Sequence, residues 1–314
     1  MDVVDLLQDT KNWPVFSVET FPTENWRPIE PILKAVEELL PFGIRAVTTT
    51  WGALGSPRAG TAAICRIIHE RYRIPTVVHL TIQGKSLPDI EGILRGLHLE
   101  GMHNILALGG DPPSGQKDAI AAWMRHRYAS DLVSQIAKLN EGRWLGPNYD
   151  SRQAGVKTRF GIGVAGFPEV HPDAYRDEDG FDGCLARSIE TLKIKLACGA
   201  QYVVCQMVFD ATPFLRFRDA ARKAGITVPI VAGVMPFEHW DQIGRFVGDA
   251  LRISFPQQVQ RALQEAHKDD QPRIADAHMA ALVEELLDAK VAGIHFYCMN
   301  RSGPTSRLLQ RVAR

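Results

Sequence analysis

The sequence predicts a closed (β/α)8 barrel, the TIM-barrel form of the α/β class, folded as a single catalytic domain over residues 1–314. Strand-like and helix-like segments alternate eight times along the chain. The strand segments are almost continuously apolar, as expected of parallel strands that are covered by helices. A length of 314 residues also suits one barrel of this kind. An open, doubly wound parallel sheet is the alternative.

Eight short apolar runs have the composition of buried strands. They are rich in Val, Ile and Thr, and most end at Gly, Pro or a polar residue. The run at 105–108, for example, stops at Gly109 and Gly110, which are followed by Asp111 and two prolines. The predicted strands cover 15–21, 44–51, 75–82, 105–108, 158–166, 201–209, 228–234 and 293–299.

Apolar residues at helical spacing follow each strand run. Ile32, Leu33 and Val36 begin the first such stripe, and Ser86 with Asp89 three residues later forms a capping pair that opens the helix after the third strand. The predicted helices lie within 28–40, 64–68, 86–97, 128–139, 185–196, 212–224 and 237–290, with a last helix from about residue 304.

The segment 141–157 interrupts this alternation. It is rich in Gly, Asn, Arg and Gln and lacks apolar periodicity. We expect either an exposed insertion or a lid there, and the sequence leaves both interpretations open.

Composition excludes several classes of function. Lys plus Arg equals Asp plus Glu at 36 each, which disfavours nucleic acid and acidic membrane surfaces as partners. The five cysteines are scattered without a CxxC pair, which predicts reduced thiols. The N-terminus lacks a basic start followed by an apolar block, and no apolar run approaches the roughly 18 residues of a membrane span. These features predict a cytoplasmic protein.

In a barrel, chemistry is expected where the strands end, at the carboxyl-terminal face. Two carboxylates predicted there, Glu19 and Asp111, could divide acid and electrostatic roles, because a partly buried acid is pushed toward its neutral form while a solvated one stays charged. The other residues predicted at strand ends are Thr49, Thr50, His79, Thr81, Phe167, Glu169, His171, Gln206, Met235, Pro236, His295, Tyr297, Asn300 and Arg301.

Three other kinds of site lack their sequence signals. There is no HxH, HExxH or cysteine cluster, so no bound metal is expected. There is no GxSxG motif for a serine nucleophile. The GxGxxG pattern at 161–166 lies inside a predicted strand and opens no helix, so it does not indicate dinucleotide binding.

Ten segments, taken in this order and spacing, resemble the methylenetetrahydrofolate reductase family over 16–309. They are FSVETFP at 16–22, VTTTWGA at 47–53, VVHLT at 77–81, LALGGDPP at 106–113, YASDLV at 128–133, GFPEVHPDA at 166–174, KIKLACGA at 193–200, QMVFD at 206–210, FLRFRDA at 214–220 and HFYCMNR at 295–301.

The resemblance implies a flavoprotein oxidoreductase of one-carbon metabolism and methionine biosynthesis. Its barrel would bind FAD, NADH or NADPH would reduce the flavin, and hydride would pass to 5,10-methylenetetrahydrofolate to give 5-methyltetrahydrofolate. The sequence does not choose between NADH and NADPH, nor does it fix the physiological direction, which could be the reverse oxidation. A homo-oligomer is compatible with it. Because the chain ends soon after the eighth strand, the appended regulatory domain of longer family members is not expected.

The resemblance also implies roles for individual residues. Glu19 matches the general acid that helps open the methylene-bridged ring, and Asp111 matches a carboxylate near the flavin and pterin. The positions that match the folate site are Gln206, which would bind the pterin, Phe214, Gln242, Phe246 and Arg301. The positions that match FAD contacts are Thr50, His79, Gly110, Asp111, Tyr128, Ala129, Phe167, His171, Ser188 and Lys195.

Four of these neighbourhoods depart from the family pattern. Gly109 stands in place of an arginine, and Ser188 in place of an aspartate. Phe167 and Phe214 each stand in place of a tyrosine. We therefore expect looser FAD binding, by about 1–3 kcal/mol for each charge-assisted hydrogen bond that is lost without compensation.

The missing cation at Gly109 keeps a second hypothesis open: a flavin-independent pterin-binding barrel that transfers hydride directly from nicotinamide, or only binds folate. A third hypothesis is a barrel lyase acting on a small carbonyl compound, which would leave Gln206 and Arg301 without partners.

Overall fold

In the computed structural model, the described residues are 2–23, 27–51, 60–110, 126–147, 149, 151–171, 174–248 and 253–312. Within them, eight parallel strands close into a barrel in the order β1-β10-β9-β8-β7-β4-β3-β2. The strands are β1 Val15–Thr20, β2 Ile44–Thr49, β3 Thr76–Thr81, β4 Asn104–Leu108, β5 Arg143–Leu145, β6 Arg152–Ala154, β7 Gly161–Gly166, β8 Tyr202–Val208, β9 Ile230–Val234 and β10 Gly293–Phe296.

Among the described residues, one α-helix precedes the first barrel strand, and the others follow barrel strands and cover the outside of the sheet. The helices are α1 Val3–Gln8, α2 Glu30–Leu39, α3 Thr61–Tyr72, α4 Leu87–Leu99, α5 Ala129–Asn140, α6 Gly180–Ala197, α7 Ala211–Lys223, α8 Trp240–Ile243, α9 Gln257–Glu265, α10 Gln271–Asp288 and α11 Gly303–Val312. The predicted (β/α)8 barrel is confirmed. The open doubly wound sheet is wrong, because β1 pairs with both β2 and β10 and so closes the sheet.

Several element boundaries differ from the prediction for local reasons. The fifth barrel strand, β7, begins at Gly161 rather than at 158, because Asn140 at the end of α5 binds the residues before it: Asn140 Oδ1 accepts from Thr158 Oγ1 at 2.7 Å and from the Phe160 amide at 2.7 Å. The single helical region expected over 237–290 is divided into α8, α9 and α10. Pro256 precedes α9, and a proline lies in the first turn of α10, where its missing N–H costs no helical hydrogen bond.

Helix α1 closes the amino-terminal end of the barrel, and the sequence analysis did not predict it. Its residues Val3, Leu6 and Leu7 are buried in an apolar cluster with barrel residues such as Val77 and Tyr202. The Val3 amide also donates to Asn104 Oδ1 at 3.0 Å. At six residues, α1 is too short to show a helical period, and its stability comes from this packing.

Glycines make room for large groups inside the barrel. A Cβ on Gly163 would lie 2.4 Å from the Tyr202 ring. A Cβ on Gly233 would lie 2.3 Å from the Cys205 carbonyl oxygen. The pairing of β8 with β9 shifts register between Val204 and Met207, so the strand bulges there against Gly233.

The segment 141–157 contains an antiparallel hairpin of β5 and β6. It is anchored to α4 through Glu91, whose carboxylate accepts from the Leu145 amide at 2.7 Å and from Arg152 Nη1 at 3.1 Å. The hairpin follows α5 and precedes β7 along the chain. The expectation of an exposed insertion or a lid over 141–157 stays a prediction.

All five cysteines are free, and four of them are buried, as predicted for reduced core thiols. Among the described helices, none is long and apolar enough to cross a membrane.

Candidate active site

Glu19 lies near the carboxyl end of β1 and faces two histidines from other strands. Its Oε2 is 3.8 Å from Nε2 of His79 on β3 and 3.7 Å from Nε2 of His295 on β10. Both imidazoles are buried, whereas the Glu19 side chain keeps 16% of its surface exposed. The buried histidines therefore contact one side of the Glu19 carboxylate. Its other side stays accessible from the mouth of the barrel, the opening at the carboxyl ends of the strands.

The two histidines have different supports. Nδ1 of His295 lies 2.9 Å from the Ser17 hydroxyl, two residues before Glu19 on the same strand. The opposite nitrogen, Nε2, is directed at Glu19 and has no hydrogen-bond partner among the described residues. Nε2 of His79 is likewise without a hydrogen-bond partner in that part of the chain. Each imidazole thus has a ring nitrogen available to Glu19 or to a ligand.

Burial lowers the pKa of His79 to about 4, and this effect outweighs the opposite effect of the nearby Glu19 carboxylate. His79 is therefore uncharged at neutral pH. Its contact with Glu19 is a contact between a carboxyl group and a neutral imidazole rather than an ion pair.

Gln206 lies at the bulge of β8, which directs its side chain differently from a regular strand. Its Oε1 accepts from the Met207 amide at 3.0 Å, so its NH₂ group is the end left for a ligand. The hydroxyl of Tyr297 donates to the Cys205 carbonyl at 3.0 Å and so fixes the backbone next to Gln206. Burial, with a smaller effect from Glu19, raises the pKa of Tyr297 well above its usual value, so the phenol stays protonated.

Tyr297 and His295 were predicted at a strand end without a role. The signal that could have assigned them was alternation along the strand: Ser17 pairs in register with His295, so Glu19 and Tyr297 come next on the same side of the neighbouring strands.

Three predicted flavin positions surround the carboxyl end of β7. The ammonium of Lys195 donates to the Ala165 carbonyl at 3.1 Å and lies 6.0 Å from the centre of the Phe167 ring. Burial lowers the pKa of Lys195 to about 8. The Phe167 and His171 rings meet edge to face with centroids 4.6 Å apart. The structure thus brings these three residues together.

Other predicted flavin positions carry polar atoms that are buried and unpartnered. The Thr50 and Ser188 hydroxyls, like Nε2 of His79, have no hydrogen-bond partner within the described ranges. Buried polar groups normally find partners, so these three atoms fit contact with a polar ligand. Gly110 has a φ of +84°, and a Cβ there would lie 2.9 Å from Thr81 Cβ, so the backbone of this strand end is close to that of β3.

Two predicted flavin positions lie at the start of α5. Tyr128 is 69% exposed, and its amide donates to Asp131 in a capping interaction. Ala129 is the first residue of the helix. Asp111, predicted as the second carboxylate, lies outside the described residues.

The predicted folate positions are more dispersed. Phe214 is fully buried in the core beneath α7. Gln242 Oε1 accepts from the amides of Glu238 and His239 and so caps α8. Phe246 is stacked under the Arg245 guanidinium at 4.7 Å, and Arg301 is exposed after β10. The structure therefore brings Glu19 and Gln206 to the mouth but gives Phe214 and Gln242 structural contacts.

Within the described residues, no group of three or more His, Cys, Asp or Glu side chains could hold a metal ion.

Comparison of this sequence with known proteins identifies one family. A family model described as methylenetetrahydrofolate reductase matches residues 5–313. Methylenetetrahydrofolate reductase 1 of Schizosaccharomyces pombe is 31% identical over 97% of this chain and 47% of its own length. The chain thus spans about half the length of that relative. The 5,10-methylenetetrahydrofolate reductase of Salmonella typhimurium is 27% identical over 91% of this chain and 86% of its own length.

Among solved structures, an uncharacterized protein from Clostridium thermocellum that binds two copies of 5-methyl-5,6,7,8-tetrahydrofolic acid has a TM-score of 0.64. It is 14% identical, and the match covers 98% of this chain and 97% of that one. At this identity the similarity supports the fold.

Proposed function

The chain belongs to the methylenetetrahydrofolate reductase family, and we propose that it catalyses the reduction of 5,10-methylenetetrahydrofolate to 5-methyltetrahydrofolate. In the balanced reaction, NADH or NADPH supplies a hydride, a proton is taken up, and the nicotinamide leaves oxidised. The names of the relatives and the placement of the predicted acid at the barrel mouth support this proposal.

The observation that carries the proposal is the position of Glu19 between His79 and His295. Opening the methylene bridge of the substrate requires a proton on the departing nitrogen, and a carboxylic acid at the mouth can donate it. The contacts of 3.7 and 3.8 Å to two buried imidazoles fix the direction of the carboxyl group while leaving its outer side open. Glu19 is the general acid in this proposal, and the histidines position it.

Gln206 would hold the pterin ring. Since its carbonyl oxygen is occupied by the Met207 amide, its NH₂ group donates to a ring acceptor. The Tyr297 hydroxyl keeps the bulge in place by binding the Cys205 carbonyl. A pterin between Gln206 and Glu19 would have one polar edge bound and its bridge nitrogen near the acid.

We further propose FAD as the resident cofactor. When bound, it would accept a hydride from the nicotinamide and pass it to the folate at one site. Thr50, His79 and Ser188 would supply the unpartnered polar atoms that meet it. Lys195, which is anchored on the Ala165 carbonyl beside the Phe167 ring, would place a cation against its phosphates.

The first experiment is the absorbance of the purified protein between about 350 and 500 nm, followed by an assay of folate-dependent oxidation of NADH and of NADPH. We expect a flavin spectrum and formation of 5-methyltetrahydrofolate, identified by mass spectrometry. Absence of any methyltetrahydrofolate product with either nucleotide, in the presence of added FAD, would contradict the proposed activity.

Gly109 favours one alternative within the same reaction. The position carries no side chain, and nothing lies within 4 Å of the place a Cβ would take, so no cation reaches a flavin from there. A flavin-independent enzyme would transfer hydride directly from the nicotinamide to the folate. A colourless protein that forms 5-methyltetrahydrofolate at an undiminished rate after flavin removal would establish this alternative.

A further inference from the structure

Lys85 lies at the barrel mouth, in the loop between β3 and α4, with its charge turned inward. Its ammonium donates to the hydroxyl of Thr81, the last residue of β3, at 3.0 Å and to the Gln83 carbonyl at 3.1 Å. It also lies 5.0 Å from the centre of the Trp51 ring, which follows β2. Three neutral groups from two adjacent strand ends therefore hold this cation in place.

The charge of Lys85 has no direct counter-charge within the described part of the chain. No carboxylate there lies within ion-pair distance of its ammonium. The nearest acidic influence is Asp89, whose own carboxylate is bound to the Ser86 amide at 2.8 Å and hydroxyl at 2.6 Å. Burial lowers the pKa of Lys85 more than Asp89 raises it, so the ammonium is partly desolvated. A desolvated cation held by neutral groups is stabilised by an arriving anion.

The place of Lys85 in the fold indicates which anion it meets. Thr81 comes two residues after His79 on β3, so the strand leads from the Glu19 cluster outward to Lys85. Gly110, at the end of neighbouring β4, approaches Thr81 so closely that a Cβ would be 2.9 Å from Thr81 Cβ. The Gly110 backbone, which carries no side chain, therefore lies against Thr81 and Gln83, the two residues that accept hydrogen bonds from Lys85. A ligand with an aromatic ring near Glu19 and a phosphate toward the rim matches this arrangement.

We propose that Lys85, held by Thr81 and Trp51, is a phosphate-binding subsite for the dinucleotide that uses the active site. A lysine ammonium has three protons, and two of them are used by Thr81 and Gln83, so the third is left for a phosphate oxygen. This inference rests on the proposed function, which brings FAD and a nicotinamide dinucleotide to the mouth. Both carry a pyrophosphate, and the experiment below distinguishes them.

The test uses Lys85→Met, which removes the charge and keeps an unbranched side chain to pack on Trp51. Lys34→Ala is the matched control, because Lys34 is an exposed lysine on α2 that pairs with Glu38 on the helix surface. Thermal unfolding without ligand checks that both variants fold. Flavin-depleted wild type and variants are titrated with FAD and with riboflavin, which lacks phosphate, by quenching of flavin fluorescence, and with NADH and NADPH by calorimetry.

We expect Lys85→Met to weaken binding of FAD, or of the nicotinamide dinucleotides, by about 10-fold or more, as for a lost charge-assisted hydrogen bond. Riboflavin binding should change less than about twofold, and Lys34→Ala should change none of the constants. Equal affinities of wild type and Lys85→Met for all three dinucleotides would overturn the proposal, as would a loss for riboflavin as large as the loss for FAD. If the wild type takes up no FAD, the flavin in the proposed function is wrong, and the NADH and NADPH titrations alone decide the subsite.

Discussion

Replacing Glu19 by Gln should separate the two halves of the proposed reaction. The amide has nearly the shape of the carboxyl group and can occupy the same space 3.7 and 3.8 Å from the two imidazoles. It cannot donate a proton to a departing nitrogen. The Glu19 side chain is 16% exposed and the amide fills the same space, so the free energy of unfolding should change by no more than about 1 kcal/mol.

The expected loss follows from the role of a general acid. A positioned acid contributes about 10²–10⁴-fold, which corresponds to about 3–5 kcal/mol in the activation barrier. That penalty applies only to the step in which the folate takes up a proton. Reduction of the flavin by NADH or NADPH involves no proton from Glu19, so its rate should stay within about threefold of the wild-type rate.

The two half-reactions can be measured anaerobically by stopped-flow absorbance of the flavin, first with nicotinamide and then with 5,10-methylenetetrahydrofolate. Glu190→Gln is the control, because Glu190 is an exposed glutamate that pairs with Lys193 on the surface of α6. A folate half-reaction within threefold of wild type would refute the role of Glu19. An equal loss in both half-reactions would show that the residue acts on the structure of the site rather than on proton transfer.

Three further predictions concern the groups around Glu19 and the barrel interior. The pKa of His79 is about 4 in the folded protein, so as the pH falls its imidazole is protonated in the unfolded chain before it is protonated in the folded one. The free energy of unfolding should therefore fall by about 3 kcal/mol between pH 6.5 and 4. Denaturant titrations of His79→Gln should lack this decrease. The same dependence of the free energy of unfolding on pH in wild type and His79→Gln would contradict this prediction. Gly163→Ala should lower the free energy of unfolding by about 2 kcal/mol or more in chemical denaturation, because the new Cβ would lie 2.4 Å from the Tyr202 ring. The control Gly96→Ala in α4, where nothing lies within 4 Å of the new Cβ, should raise it by about 0.5–1 kcal/mol. Equal effects of the two substitutions would refute the packing argument. Tyr297→Phe removes the hydrogen bond to the Cys205 carbonyl at the β8 bulge and should raise KM for the folate about 5- to 10-fold in steady-state assays. The control Tyr202→Phe removes a hydroxyl without a partner among the described residues and should leave KM unchanged. A KM for Tyr297→Phe equal to that of the wild type would rule out the positioning role of Tyr297.

Sequence reasoning succeeded where the cause of a structure is local. The Ser86–Asp89 capping pair was predicted from spacing, and both of its hydrogen bonds form at the start of α4. The strands were recognised because a buried parallel strand must be apolar on both faces. The alternation of strand and helix segments along the chain then placed Glu19 and His79 toward strand ends, which meet at one face of a barrel.

The parts that were missed depend on contacts between distant segments. The bulge that orients Gln206 exists because Gly233, on another strand, lets the Cys205 carbonyl approach, and no local pattern in β8 marks it. The convergence of His79 and His295 on one oxygen of Glu19 depends on the closure of β1 against β10. Strand register is set by the whole barrel rather than by any one segment.

The neutrality of His79 fits the proposed role of Glu19 as an acid, because a neutral imidazole adds no positive charge beside the carboxyl group. A protonated imidazole beside Glu19 would favour the ionised carboxylate and oppose the protonated form that a general acid requires. Burial on β3 lowers the pKa of His79 to about 4, so this cation does not form at neutral pH. The same apolar barrel that makes the fold stable therefore prevents an ion pair from forming with His79. A lysine or arginine at position 79 would reverse this effect, because it would keep a positive charge next to the acid throughout the working pH range.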